Sequence, residues 1–173
     1  MNAHLKAALC LGAAITLFAL PVLYAESARP SLNDDAAMRQ TIKDIRSVGT
    51  AMFVWYKDEM APKVDRGGKQ AVADPASADI SAVPVISREE LTKILVPKYI
   101  AALPEKDGWG NPYEFHLNTT DPNASHMMGL RSAGRDGRFS GDVYEIGAFS
   151  PADADQDIPW MDGFFVRWPQ ANQ

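Results

Sequence analysis

From Met38 onward an apolar residue recurs every three or four positions: Met38, Ile42, Ile45, Val48, Met52 and Trp55. That spacing places all six on one stripe of a single long helix. Arg39, Lys43, Asp44 and Arg46 fall on its other faces. Asn33 suits the N-cap, Asp34 and Asp35 in the first turn complement the helix dipole, and the helix should fade near Pro62. A helix with one apolar stripe must bury it against another element, so the rest of the chain has to supply a matching apolar surface.

The segment 61–86 is rich in Ala, Asp, Pro and Ser and contains Gly67-Gly68, which predicts a long loop. Ser87 and Glu90 form a capping-box pattern, with Leu91, Ile94 and Leu95 as the apolar face of a second helix that Pro97 ends. Trp109-Gly110-Asn111-Pro112 reads as a turn. After it, Tyr113, Phe115 and Leu117 alternate with Glu114 and His116, the pattern of a half-buried strand. Further strands are expected over Met127–Leu130 and Phe164–Trp168, with a Gly- and Asp-rich stretch between them. The fold class this order predicts is α+β, a long N-terminal helix on a small antiparallel β-sheet.

Ahead of the helix, His4 and Lys6 open a short polar start, and an apolar run follows to Tyr24. With the small Ala25 behind it, this reads as a signal peptide over 1–25, with an uncleaved anchor as the alternative. Residues 26–32 form a linker containing Pro30, and 33–173 the domain, with the 61–86 loop as an insertion. The chain is therefore expected to be exported, to the periplasm or beyond, and to contact a membrane only if the leader is kept. The sole cysteine, Cys10, lies in that leader, so residues 26–173 have neither a disulfide nor a cysteine nucleophile. The 22 acids outweigh the 17 bases for a net charge of −5, and the absence of a basic cluster argues against nucleic acid as a partner.

The candidate site is acidic. Asp153, Asp155 and Asp157 occupy alternate positions, and Asp136 and Asp142 precede them in a Gly-rich stretch. Calcium takes six to eight oxygens, and alternate carboxylates with backbone carbonyls can wrap one ion. It is not an EF-hand, since the sixth position from Asp153 is Ile158 rather than Gly and the twelfth is Phe164 rather than Glu. The same run also reads as a solvated acidic loop. Ser132, Ser140 and Ser150 lie in no nucleophile pattern, and neither His116 nor His126 has an evident orienting partner, so no enzymatic activity is expected. His126-Met127-Met128 is a poor soft-metal site, because adjacent strand residues face opposite ways. Trp109, Trp160 and Trp168 read as core or turn anchors more readily than as a sugar platform.

Asp107-Gly108-Trp109-Gly110-Asn111-Pro112-Tyr113 resembles the D-x-W-G-N-P-Y signature of the major pseudopilins of type II secretion. Ser132-Ala133-Gly134-Arg135-Asp136-Gly137 resembles the family's S-x-G-x-D-G, Asp157-Ile158 its closing D-I, and Tyr99–Pro104 its lead-in. The resemblance runs from about Met38 to Trp160. It implies a long helix packed on a small antiparallel sheet, a loop that holds calcium, and a structural role in the periplasmic pseudopilus. The metal ligands it implies are Asp136, Asp153, Asp155 and Asp157, and the partners are other pseudopilins or secretion-system subunits. Three features differ from the family: there is no prepilin leader motif, Pro30 interrupts the approach to the helix, and the closing motif is shortened to Asp157-Ile158-Pro159-Trp160. The first two leave room for a free exported calcium-binding module of the same fold. A secreted hydrolase or sugar-binding protein is a third alternative.

Overall fold

A computed structural model describes residues 32–63 and 76–170. The expected leader, nearly all of the linker and residues 64–75 of the 61–86 loop lie outside the described residues. Helix α1 spans Leu32–Trp55, one residue into the expected linker, and a π-helical turn (Tyr56–Met60) and a 3₁₀ turn (Ala61–Lys63) continue it. Its stripe is buried as the spacing predicts: Ile45, Val48 and Met52 are fully covered, Met38 and Trp55 nearly so, and Ile42 partly. Each such burial stabilises the fold by roughly 1.5–3 kcal/mol. No helix among the described residues is long and apolar enough to cross a membrane.

The expected loop is not structureless. Its described part holds β1 (Ser77–Asp79), a 3₁₀ turn (Ile80–Ala82) and β2 (Val85–Ile86). Ala78, Ile80 and Val83 are buried, so tertiary contacts order a stretch whose composition alone favours a loop. Helix α2 (Arg88–Leu95) begins at the Ser87–Glu90 capping box, with both reciprocal bonds formed, and buries Leu91 and Leu95.

The remaining strands are β3 (Glu114–Leu117), β4 (Met128–Ser132), β5 (Val143–Glu145), β6 (Gly147–Phe149), β7 (Ile158–Met161), β8 (Phe164–Phe165) and β9 (Arg167–Pro169). The main sheet is antiparallel, in the order β2-β3-β4-β7-β8. Two smaller pairs accompany it, β1–β5 antiparallel and β6–β9 parallel. The fold is α+β, with more strands than expected and one parallel pair.

Both faces of the sheet are covered. Phe115, Leu117, Leu130 and Trp160 join the stripe of α1 in the larger core, and the Trp160 indole lies against Gly49. On the opposite face, Met161 packs with Ala78, Ile80, Val83, Tyr144 and Val166. The molecule is thus three layers: helix, sheet and the β1–β5 ribbon. That ribbon explains why β3 is not half-buried as its alternation suggests. His116 lies beneath the 3₁₀ turn, only 2% exposed, with Nδ1 bonded to the Val83 carbonyl at 2.8 Å. Met127 and Met128 both enter the larger core, because Met127 precedes β4 and is free of strand alternation.

Candidate functional site

The turn Asp107–Tyr113 holds itself together through one carboxylate. Asp107 Oδ1 accepts the backbone N–H groups of Trp109 (3.0 Å) and Asn111 (2.8 Å), and Oδ2 accepts Ser132 Oγ at 2.6 Å. The turn is also tied to α1. The Gly108 amide donates to Thr41 Oγ1 at 2.9 Å, and the Trp109 indole to Asp34 Oδ1 at 3.1 Å. Gly108 touches the helix backbone so closely that a Cβ there would lie 2.1 Å from the Ala37 carbonyl oxygen. On its other side, Asn111 Nδ2 donates to the Gly134 carbonyl at 2.7 Å. The D-x-W-G-N-P-Y and S-x-G-x-D-G segments therefore meet as one hydrogen-bonded joint between α1 and the acidic loop.

The loop itself divides the expected ligands. Asp157 turns inward and is 2% exposed. Its Oδ2 accepts the Ser140 amide (2.9 Å), Ser140 Oγ (2.7 Å) and the Tyr144 hydroxyl (2.9 Å). Its Oδ1 is buried and has no hydrogen-bond partner among the described residues. A buried acceptor left unmet costs about 1–3 kcal/mol, so this oxygen calls for a water or a cation. Asp155 turns outward into a two-pronged ion pair with Arg135, at 2.8 and 2.9 Å. Those hydrogen bonds hold the Asp155 carboxyl below the usual carboxylate range. Arg135 also reaches Asp34 at 3.3 Å, which ties the loop back to α1. Asp136 accepts the Arg138 amide, and Asp153 accepts Gln156 Nε2 at 2.7 Å; both are exposed.

Alternate spacing gathers side chains only in an extended chain. Here the Gln156 amide bonds back to the Asp153 carbonyl, the chain turns, and the three carboxylates diverge. Among the described residues, no three carboxylate, histidine or cysteine side chains are grouped to hold a metal. Of the four expected ligands, Asp157 is the one with a buried carboxylate oxygen that has no partner among the described residues. Calcium completes its shell readily with backbone carbonyls and water. Asp136, Asp153 and Asp155 can join only by leaving or sharing their present partners.

Behind Asp157 lies a polar core that the spacing did not reveal. Tyr144, whose hydroxyl burial and the Asp157 charge push above its ordinary pKa, accepts Arg131 Nη1 at 2.9 Å. Arg131 also bonds Glu114 through Nε (2.9 Å), Asp142 Oδ1 through Nη2 (2.9 Å) and the Gly141 carbonyl through Nη1 (2.7 Å). Burial opposes the Arg131 charge, but the Tyr144 hydroxyl and the Glu114 carboxylate outweigh it and raise its pKa further. Glu114 in turn bonds His116 Nε2 at 2.9 Å. Asp142, a possible ligand by sequence, is thus committed to Arg131. His126 also has a partner, Asp162 Oδ2 at 2.8 Å, across the β7–β8 turn. The signal available for Arg131 was its place opposite Glu114 on adjacent strands, which becomes visible only with the register in hand.

Trp160 and Trp109 serve as core and turn anchors, whereas Trp168 is 38% exposed. When the chain is compared with protein families, with curated proteins and with solved structures, none of the three yields a match.

Proposed function

We propose that this chain is a non-enzymatic, pseudopilin-like structural protein of type II secretion, exported from the cytoplasm and stabilised by calcium bound at Asp157. The observation that carries the reading is the joint between α1 and the acidic loop. The three segments that resemble the pseudopilin signature are far apart in sequence, yet Asp107, Asn111, Ser132 and Gly134 bond directly to one another. The backbone N–H of Arg135, in the second of those segments, donates to the Ala154 carbonyl at 2.8 Å, just ahead of Asp157 in the third. Such a joint fixes the pose of a long helix relative to a loop, which is what an assembly subunit needs. Calcium supplies positive charge to the unmet Asp157 oxygen and holds the loop against that joint. Its partners are other pseudopilins or secretion-system subunits.

Pro30, a helix-breaking residue just ahead of α1, favours a second reading, a free exported calcium-binding module of the same fold. Deleting the gene in its host separates the two. If the chain serves secretion, type II substrates will accumulate in the periplasm, and the full chain supplied in trans will restore export. If export is unchanged and the mature protein is recovered free, the secretion role fails and the module reading stands.

A further inference from the structure

We infer that the solvent face of α1, with the aromatic side chains beside it, docks flat on a membrane surface rich in anionic phospholipid, a contact that does not depend on the leader. Arg39, Lys43 and Arg46 follow one another at spacings of four and three, which sets them on one line along the helix. Lys57, in the π-helical turn that continues α1, is a fourth cation, and all four are exposed. No carboxylate among the described residues forms an ion pair with any of them. Between Arg39 and Lys57 the helix carries a single acid, Asp44, and that carboxylate is taken up by Gln40 at 2.8 Å and the Tyr113 hydroxyl at 3.3 Å. Asp35 stands one turn ahead of Arg39, at the end of the line. A chain of net charge −5 thus presents one face on which positive charge is unopposed.

Apolar surface flanks those cations. Arg46 borders two clefts beside α1, with Phe53 and Phe164 on one side and Trp168 on the other. Phe164 is 49% exposed, Phe53 43% and Trp168 38%, a concentration of open aromatic surface on so small a domain. The acid lining these clefts, Asp162, already accepts the amides of Met127 and Met128 and bonds the His126 ring, which spreads its charge over three partners. The exposed acids of the β1–β5 ribbon, Asp79 and Glu145, lie two layers away on the far side of the sheet. That is beyond the Debye length of about 10 Å at 0.1 M salt, so they do little to repel what α1 meets. Cations interleaved with aromatic rings match a bilayer surface on both counts. Phosphate groups take the guanidinium and ammonium groups, and aromatic rings settle at the level of the headgroups. An acidic protein would satisfy the cations but leave the open rings unexplained.

An environment-sensitive dye on the exposed position Thr50, in the full chain carrying Thr50→Cys with Cys10→Ser, reads this face whatever the leader does. The probes are vesicles of phosphatidylglycerol with phosphatidylcholine, and of phosphatidylcholine alone. The emission should shift to the blue on the anionic vesicles and stay unchanged on the neutral ones. Raising the salt to about 1 M, where the Debye length falls to about 3 Å, should abolish the shift. Arg39→Glu with Arg46→Glu should weaken docking at least about twentyfold, since each basic residue near such a surface contributes about fivefold. Lys106→Glu, an exposed cation off the helix, should leave docking as it is. Matching melting curves will show that each variant is folded. No shift on anionic vesicles, an equal shift on neutral ones, or a shift kept by the Arg39 and Arg46 variant would each overturn the inference. A shift with soluble polyaspartate but not with vesicles would assign the face to an acidic protein and would overturn it as well. None of those results touches the secretion assay, so either proposal can fail without the other.

Discussion

Gly108→Ala is expected to destabilise the domain by about 3 kcal/mol, the upper end of the usual cost of overpacking. The added methyl would sit 2.1 Å from the Ala37 carbonyl oxygen and 2.5 Å from its carbonyl carbon. Those are helix backbone atoms, which cannot swing aside as a side-chain tip can. Relief would require the turn to lift from α1, and that breaks the Gly108–Thr41 and Trp109–Asp34 bonds together. Gly147→Ala is the control, since nothing lies within 4 Å of a Cβ there; it should fall within about 0.5 kcal/mol of wild type. Chemical denaturation measures both. A Gly108→Ala midpoint equal to that of Gly147→Ala would mean that the turn does not rest on the helix.

Arg131→Leu should cost about 3 kcal/mol, the lower end of the range for removing one partner of a buried ion pair, because the Glu114 side chain keeps some contact with water. Arg131 is 5% exposed and serves Glu114, Tyr144 and the Gly141 carbonyl at once. Leucine fills much of the volume but leaves the Glu114 carboxylate without its guanidinium partner. Removing that carboxylate as well, in Arg131→Leu with Glu114→Leu, should recover part of the loss, and a double-mutant cycle on thermal melts reads the coupling. Additive single effects would show that water already screens the pair.

How much of this was legible follows from how local each determinant is. The α1 stripe and the Ser87–Glu90 cap are set by residues within one or two turns, and both appear where the sequence places them. Strands β1, β2 and β5 have two or three residues each, too short for alternation to register, and they are ordered by Ile80, Val83 and Tyr144 packing on the sheet. In the site, Asp157 could be singled out by its motif, but its inward turn and the outward turn of Asp155 depend on a bend at 153–156 and on Arg135, twenty residues earlier. The Arg131 network joins strands across the fold, so no window of sequence contains it.

On the proposed reading, Asp157 anchors a calcium ion that secures the acidic loop. Calorimetric titration of the chelator-treated full chain with calcium, paired with melting curves, tests it most directly. The expected result is one-site heat and a rise in melting temperature that chelator reverses. The stabilisation should reach about 2.7 kcal/mol at a hundredfold excess over Kd. Magnesium should do much less, because it demands tighter octahedral geometry. Asp157→Asn should abolish the effect, while the same change at Asp136, Asp153 or Asp155 should only weaken it. Absence of both heat and thermal shift with calcium would contradict the claim and leave Asp157 as a buried carboxylate held by Ser140 and Tyr144 alone.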